Sequence, residues 1–368
     1  MSAQSLIDGP VLAIGQFPPP VHGFSYITRC LSDEVQQLRV VREIDITGSR
    51  KARGLLRHVS RALAAVGAAF SILRARREGA TCYVACEGGL GLVYSWVVIA
   101  AARITGMPTL LHHHSFAYIE RRSALMRLVV GTHPDICHIF LCCTMKGKFE
   151  AVYRRGGDGA VLSNAAFVPP DDGASDDVRE EAEGLVIGLL SNLTREKGLY
   201  RFLELLRVAA ERGVAVRGVL AGPVALDEDR AALARAQAEL GDRLDYRGPL
   251  YGPDKAVFYR DIDVFVFPTD YANEAQPTVL FEALAAGCRI VSYDRGCIAN
   301  QVEDDGLVIP RDRDFVAAAM DWLVLATRPR SMRGDIITRY AARHARARGV
   351  IHGLFGPASH ECLSSCVD

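Results

Sequence analysis

Two glutamates, eight positions apart, offer the clearest chemistry in the sequence. Glu274 lies in a stretch of small and polar residues, and Glu282 lies in the apolar run that follows. A carboxylate has two acceptor oxygens, which suits it to a pair of neighbouring hydroxyls such as a ribose diol or a hexose edge. A solvated loop glutamate and a solvated helix glutamate would have the same spacing, so both explanations stay open for the isolated pair.

Two cations form a second candidate group. Arg195 and Lys197 directly precede an apolar-periodic run that begins at Leu199 and predicts a helix. Near a helix N-terminus, such cations can neutralise a diphosphate and stabilise the charge that departs when a sugar–phosphate bond breaks. Exposed loop charges are the alternative that the sequence leaves open.

Three consecutive histidines follow a short apolar run at residues 109–111. In an extended strand, His112 and His114 project to one face and His113 to the other. Consecutive strand residues make poor joint metal ligands, so we expect no metal here. One histidine as a hydrogen-bond donor to a substrate is the better interpretation, because neutral imidazole is a good donor that titrates near pH 7.

The elements around the glutamates predict a βαβ unit. Residues 264–267 are a buried strand by composition, and residues 290–292 are the next strand. Between them, Pro277 and Thr278 open a helix that Gly287 terminates. Free backbone N–H groups at such a helix start favour a phosphate or a sugar oxygen, and ligands of parallel sheets bind beyond the strands' carboxyl ends.

The beginning of the chain predicts another strand, loop and helix. Residues 11–17 read as a strand, residues 26–38 as a helix, and the loop between them contains three prolines followed by His22 and Gly23. The dinucleotide fingerprint G-x-G-x-x-G is missing, which argues against an oxidoreductase. The loop either projects rigidly towards a ligand or forms an ordinary tight turn.

Length and composition predict two domains in a soluble protein. A chain of 368 residues exceeds the size at which one core keeps growing. We place a first domain at residues 1–164, a linker rich in Pro, Asp and Glu at 165–184, a second domain at 185–327, and a basic helix and tail at 328–368. The formal net charge of zero argues against nucleic acid as a partner.

Two features bear on location. Residues 1–10 lack the features of a secretory signal, and the ten cysteines contain no C-x-x-C zinc pattern, so we expect reduced thiols and a cytoplasmic protein. Residues 50–77 predict a helix with arginines beside an apolar stripe, which suits an anionic membrane surface. The solvated face of a core helix is the alternative.

Taken together, several motifs resemble the GT-B glycosyltransferases of family 4, particularly those of bacterial polysaccharide assembly. The resemblance rests on PPPVHG, HHHS, SNLTREKG, AGPV and NEAQPTVLFEALAAG, in that order, over about residues 11–310. It implies an α/β protein with two Rossmann-like domains facing across a central cleft. It also implies retention of anomeric configuration, no metal and no cofactor. The donor would be a nucleotide sugar, UDP- or GDP-linked, and the acceptor a saccharide or a polyprenyl-diphosphate-linked saccharide.

The resemblance also implies roles for individual residues. Glu274 would contact the donor sugar near its anomeric carbon, Glu282 would bind the ribose diol, and Lys197 would hold the diphosphate. Gly23 would let its loop approach the phosphates, and His114, or else His112, would lie near the transferred sugar. The remaining donor-binding group would be the helix start formed by Gln276, Pro277, Thr278 and Val279.

The sequence departs from the family pattern at two places. Asn192 stands where many members have arginine, so that either Arg195 takes over the role or the diphosphate is bound less tightly. His22 and Gly23 replace a usual pair of glycines. Two other functions therefore stay open: a nucleotide-sugar epimerase on the same fold, and a catalytically inactive binding or scaffold protein.

Overall fold

The computed structural model describes residues 9–49, 51–171, 184–325 and 332–356. The chain forms two compact units, one of Met1–Phe167 with Ala345–Asp368 and the other of Val168–His344. Residues 164–167 of the first unit are a buried 3₁₀ helix. Residues 1–8, Arg50, residues 172–183 of the predicted linker, residues 326–331 and residues 357–368 of the predicted tail lie outside the described residues.

The first unit is built on a parallel six-stranded sheet with the strand order β2-β1-β3-β4-β5-β6. Its strands are β1 (Val11–Gly15), β2 (Val41–Asp45), β3 (Thr81–Cys86), β4 (Thr109–His113), β5 (Cys137–Phe140) and β6 (Ala160–Val161). Its helices are α1 (Gly23–Gln36), α2 (Gly54–Ala75), α3 (Gly91–Thr105), α4 (Ala117–Glu120), α5 (Ala124–Thr132) and α6 (Cys143–Tyr153).

The second unit repeats this plan with the strand order β12-β11-β10-β7-β8-β9, again all parallel. Its strands are β7 (Leu185–Leu190), β8 (Val216–Ala221), β9 (Leu244–Tyr246), β10 (Val264–Phe267), β11 (Arg289–Tyr293) and β12 (Gly306–Ile309). Its helices are α7 (Leu199–Glu211), α8 (Asp227–Leu240), α9 (Pro253–Asp261), α10 (Thr278–Ala285), α11 (Ile298–Val302), α12 (Phe315–Leu325) and α13 (Arg333–Phe355), which continues into the first unit. The predicted α/β class with two Rossmann-like domains is confirmed.

Each sheet has one point at which the chain reverses its direction of travel across the strands. In the first sheet β1 lies beside β3, and in the second β7 lies beside β10. The loops that leave the carboxyl ends of these strands diverge, which opens the crevice where parallel α/β sheets bind ligands. Such a point, called a switch point, therefore locates a candidate site in each unit.

At two places the structure differs from what the sequence indicates. The apolar run at residues 139–144 predicts a single strand, but β5 ends at Phe140 and Cys143 already opens α6. An apolar run alone does not distinguish a strand from a buried helix start. Strand β2 has no clear sequence signal, because its VREID sequence forms a partly exposed sheet edge. An edge strand buries too few side chains for a periodic apolar pattern.

Candidate functional site

The switch point of the second sheet brings two predicted residues into direct contact. Lys197 follows β7 and Glu274 follows β10, and Lys197 Nζ lies 2.6 Å from Glu274 Oε2. Their side chains are only 21% and 9% exposed, so water screens the pair less than it screens a surface ion pair. An ammonium has three N–H donors, and one bond to Glu274 leaves capacity for phosphate oxygens.

Two residues that the sequence analysis did not select complete this group. Thr269 donates a hydrogen bond from Oγ1 to Glu274 Oε2 at 3.2 Å. The ammonium of Lys197 lies 4.3 Å from the ring centroid of Tyr271, within cation–π range. Both residues belong to the loop that leaves β10, and that position beyond a parallel strand was the signal that could have identified them.

A glycine allows the two loops to approach. Gly198 has φ +96°, and a Cβ there would lie 2.4 Å from Pro268 Cγ. The backbone N–H of Asp270 also donates to the carbonyl oxygen of Glu196 at 2.7 Å. Only glycine fits both the left-handed conformation and the space, so Gly198 permits the packing that places Lys197 beside the β10 loop.

The backbone at Gly296 packs closely against the segment between Glu274 and α10. That glycine has φ +57°, and a Cβ would lie 2.6 Å from the Glu274 carbonyl oxygen. Pro277 is the N-cap of α10, so Thr278 and Val279 belong to the first turn, whose N–H groups have no partner within the helix. Gln276 is buried. The predicted helix N-terminus is therefore present beside Glu274, and its role in binding stays a prediction.

Glu282 lies in a different group of contacts from Glu274. Its Oε2 is 2.5 Å from Lys255 Nζ and accepts a hydrogen bond of 2.8 Å from the hydroxyl of Tyr259. Burial and the nearby Glu282 carboxylate raise the pKa of Tyr259 well above its ordinary value, so this tyrosine stays a donor. The structure thus positions Glu282 against α9, and the ribose contact stays a prediction.

The two other predicted donor-binding residues in the loop after β7, Arg195 and Asn192, are exposed to solvent. The Arg195 guanidinium lies 3.9 Å from the ring centroid of Tyr200 on α7. This stacking holds Arg195 on its own loop and helix, so the structure pairs Lys197, rather than Arg195, with Glu274.

In the first unit, the three histidines alternate between the two faces of β4 as expected. His113 Nδ1 is 2.9 Å from the Tyr118 hydroxyl, and its Nε2 is 2.9 Å from His138 Nδ1. On the other face, His112 Nδ1 is 2.9 Å from the Tyr83 hydroxyl, and its ring centroid is 4.0 Å from that of His114. His113 therefore belongs to a buried polar cluster.

His114 contacts the loop that leaves β1. Its ring meets Phe24 edge-on with centroids 5.1 Å apart, and Phe24 in turn stacks on His22. Among the described residues, His114 Nε2 has no hydrogen-bond partner although it is buried. Burial lowers the pKa of His114 to about 3, which keeps the imidazole neutral. A neutral ring with an unpaired nitrogen suits the predicted role as donor to a substrate.

Local hydrogen bonds hold the loop that follows β1, and the space around its Gly23 is empty. His22 caps α1 by accepting the backbone N–H of Ser25 on Nδ1 at 3.2 Å. A Cβ at Gly23 would meet nothing within 4 Å. No internal contact therefore demands glycine at position 23, which leaves room for the predicted approach to a phosphate.

Metal ligands do not cluster in the described part of the chain, where no three His, Cys, Asp or Glu side chains form a group able to hold an ion. The predicted independence of metal stays a prediction.

Comparison with known proteins adds to this geometry. Residues 184–325 match the family model described as Glycosyl transferases group 1, a range that includes Lys197 and Glu274. The structure resembles that of HepE from Anabaena solved with UDP, with a TM-score of 0.63 and 16% sequence identity over 95% of this chain and 96% of HepE. The chain has the GT-B fold.

Two further GT-B structures are similar to this chain. Sucrose-phosphate synthase from Thermosynechococcus elongatus has a TM-score of 0.64 and 16% identity, covering 95% of each chain. WaaG, a glycosyltransferase involved in lipopolysaccharide biosynthesis, has a TM-score of 0.59 and 12% identity over 94% of this chain and 99% of WaaG. Among proteins with curated descriptions, the sequence comparison found no match.

Proposed function

We propose that this GT-B protein is a glycosyltransferase that moves a sugar from a nucleotide-sugar donor to a saccharide or lipid-linked saccharide acceptor. The observation that carries the proposal is the Lys197–Glu274 pair at the switch point of the second sheet. It joins a phosphate-binding cation to a sugar-binding carboxylate within the range that matches the group 1 model.

A nucleotide sugar fits the chemistry of these groups. Lys197 would bind the diphosphate and stabilise it as it leaves, assisted by the N–H groups at the start of α10. Glu274 would accept hydrogen bonds from the sugar hydroxyls, and its charge would favour positive character on the anomeric carbon. HepE has been solved with UDP and with UDP-glucose, which supports a nucleotide-sugar donor here. We propose that this donor is UDP- or GDP-linked.

The finer parts of the proposal are retention of anomeric configuration, independence of metal, and a role in cell-surface polysaccharide synthesis in the cytoplasm. Lys197 and the helix start supply positive charge that many transferases take from a metal ion. NMR of the newly formed glycosidic bond tests retention, since an inverted anomer would contradict it. Transfer in the presence of EDTA tests independence of metal.

Donor binding is the first test. Thermal unfolding of the purified chain is measured with UDP-, GDP- and ADP-sugars, with and without EDTA. A ligand that binds only the folded state adds about 2.7 kcal/mol of stability at a hundredfold excess over its dissociation constant. A shift with one nucleotide family that survives EDTA supports the proposal, and no shift with any donor argues for a scaffold protein.

Turnover then separates the alternatives. Transfer requires an acceptor, whereas an epimerase converts the donor sugar without one. Tight nucleotide binding without either product would indicate an inactive binding protein, a function that the exposed Asn192 keeps open. Product analysis of the donor with and without a polyprenyl-diphosphate-linked saccharide distinguishes all three outcomes.

A further inference from the structure

Helix α2 exposes a continuous apolar face. Leu55 is 78% exposed, Leu56 70%, Leu63 68% and Phe70 63%. At about 100° per residue, the apolar side chains fall within an arc of about 100° along the whole helix. We call this surface the α2 apolar face; its members are Leu55, Leu56, Val59, Leu63, Val66, Phe70 and Leu73.

The opposite side of α2 is already packed. Its buried residues are Arg61, Ala65, Ala68, Ile72 and Ala75. Arg61 forms an ion pair with Glu87, donates to the Ile46 carbonyl oxygen at 3.2 Å and lies over the Tyr94 ring at 4.4 Å. These contacts anchor α2 in the first unit, so the exposed face is a stable feature of the surface.

Charge indicates what this face contacts. Residues 50–77 contain no Asp or Glu. Exposed basic side chains lie at both ends of the helix, namely Lys51, Arg53, Arg57, Arg74, Arg76 and Arg77. Pairing of two α2 helices, parallel or antiparallel, would bring these like charges together without acidic partners, which disfavours a second copy as the occupant. An anionic lipid surface satisfies both the apolar face and the cations.

Length and composition alone would also allow α2 to cross a bilayer, the one helix in the described residues that passes this test. That test is a weak indication, because core helices of soluble proteins pass it as well. If α2 crossed a bilayer, Arg61 would lose its ion pair with Glu87, and the packed side of α2 would lose its contacts with α3. A helix that lies in the plane of the interface keeps these contacts.

We propose that the α2 apolar face docks on an anionic lipid bilayer, with the helix lying along the headgroup plane. Leu63 and Phe70 enter the boundary with the acyl chains, while the flanking arginines and Lys51 contact the headgroups. This docking does not depend on the proposed transfer reaction, because it concerns only the first unit's surface.

Vesicle co-sedimentation tests the proposal with the purified full chain. Vesicles of phosphatidylcholine alone are compared with vesicles that also contain phosphatidylglycerol. We expect binding only to the anionic vesicles and release as the salt concentration rises. L63D/F70D weakens binding at least about tenfold, because it replaces two inserted apolar side chains by charges. The matched control L226D/V257D alters two residues of the second unit that are each 51% exposed, and it binds like the wild type.

Two further variants make the result independent of how L63D/F70D folds. R74Q/R76Q/R77Q loses about fivefold in binding per charge, on the order of a hundredfold in total. F70W gives a blue-shifted fluorescence difference spectrum with anionic vesicles, as expected for a side chain that enters the acyl boundary.

Three outcomes overturn the proposal: no binding to anionic vesicles, binding that L63D/F70D leaves unchanged, or sedimentation-velocity data showing a dimer that L63D/F70D dissociates while vesicles stay unbound. The last would identify a second copy as the occupant.

Discussion

Lys197 Nζ and Glu274 Oε2 lie 2.6 Å apart, although the residues are 77 positions apart in the chain. The contact exists because β7 and β10 are hydrogen-bonded neighbours, so their following loops leave the sheet side by side. Gly198 then allows these loops to touch. The pair is the point at which a phosphate-binding and a sugar-binding group meet in the proposed function.

Lys197→Ala and Glu274→Ala should each reduce sugar transfer by at least about a hundredfold, because each removes a group aimed at charge that develops during transfer. Circular dichroism should show the fold intact. Arg207→Ala is the matched control, since it breaks an exposed ion pair with Glu239 on the same unit. Near-normal turnover by either site variant would refute the assignment.

Glu282→Gln should weaken donor binding, whereas Tyr259→Phe should weaken it much less. If Glu282 binds the ribose diol, removing its charge affects the ligand directly, while Tyr259→Phe removes only a neighbour that donates to the carboxylate. Losing that buried hydrogen bond should cost about 1 kcal/mol of stability. Titration calorimetry with the nucleoside diphosphate measures the difference, and equal weakening by both variants would assign Glu282 a structural role alone.

Gly23→Ala should lower donor-dependent activity without destabilising the protein. An added Cβ meets nothing within 4 Å, and alanine favours the helix that begins here, so thermal stability should be equal or slightly higher. The methyl group would, however, obstruct a phosphate that approaches the loop. Gly67→Ala is the control, because it is equally open but lies within α2. Unchanged kcat/KM for Gly23→Ala would argue against phosphate approach at this loop.

The first unit should lose stability as the pH falls below about 6.5. Burial lowers the pKa of His114 to about 3 and that of His138 to about 4, from an ordinary value of 6.5. Between those values the unfolded chain binds protons that the folded chain does not, so acid favours unfolding. Each histidine contributes about 2 kcal/mol of this loss on going from neutral pH to about pH 5.

Urea unfolding in a Trp322→Phe background measures this loss, because Trp96 of α3 then reports on the first unit. His114→Asn should reduce the pH-dependent loss by about 2 kcal/mol. His352→Asn replaces an exposed histidine and is the matched control. A pH dependence that persists unchanged in His114→Asn would show that His114 does not remain neutral in the fold.

The limits of sequence reasoning differ between the fold and the site. The buried parallel strand Val264–Phe267 was predicted with its observed bounds, because a continuous β-branched and aromatic run carries a strong signal. The edge strand Val41–Asp45 was missed because it is partly solvated. Glu274 and Lys197 were found from their positions beside helix starts, but Thr269 and Tyr271 were not, since their roles arise only from spatial contact.

The sequence by itself determined the α/β class, the succession of strands and helices and the alternation of the three histidines, because these follow from local periodicity. Only the tertiary structure decided which residues meet. It paired Lys197 with Glu274, bound Glu282 to Lys255 and Tyr259, and left the α2 apolar face exposed. Strand order and burial arise from packing between distant segments, and a periodic apolar pattern does not state which of its faces the fold will cover.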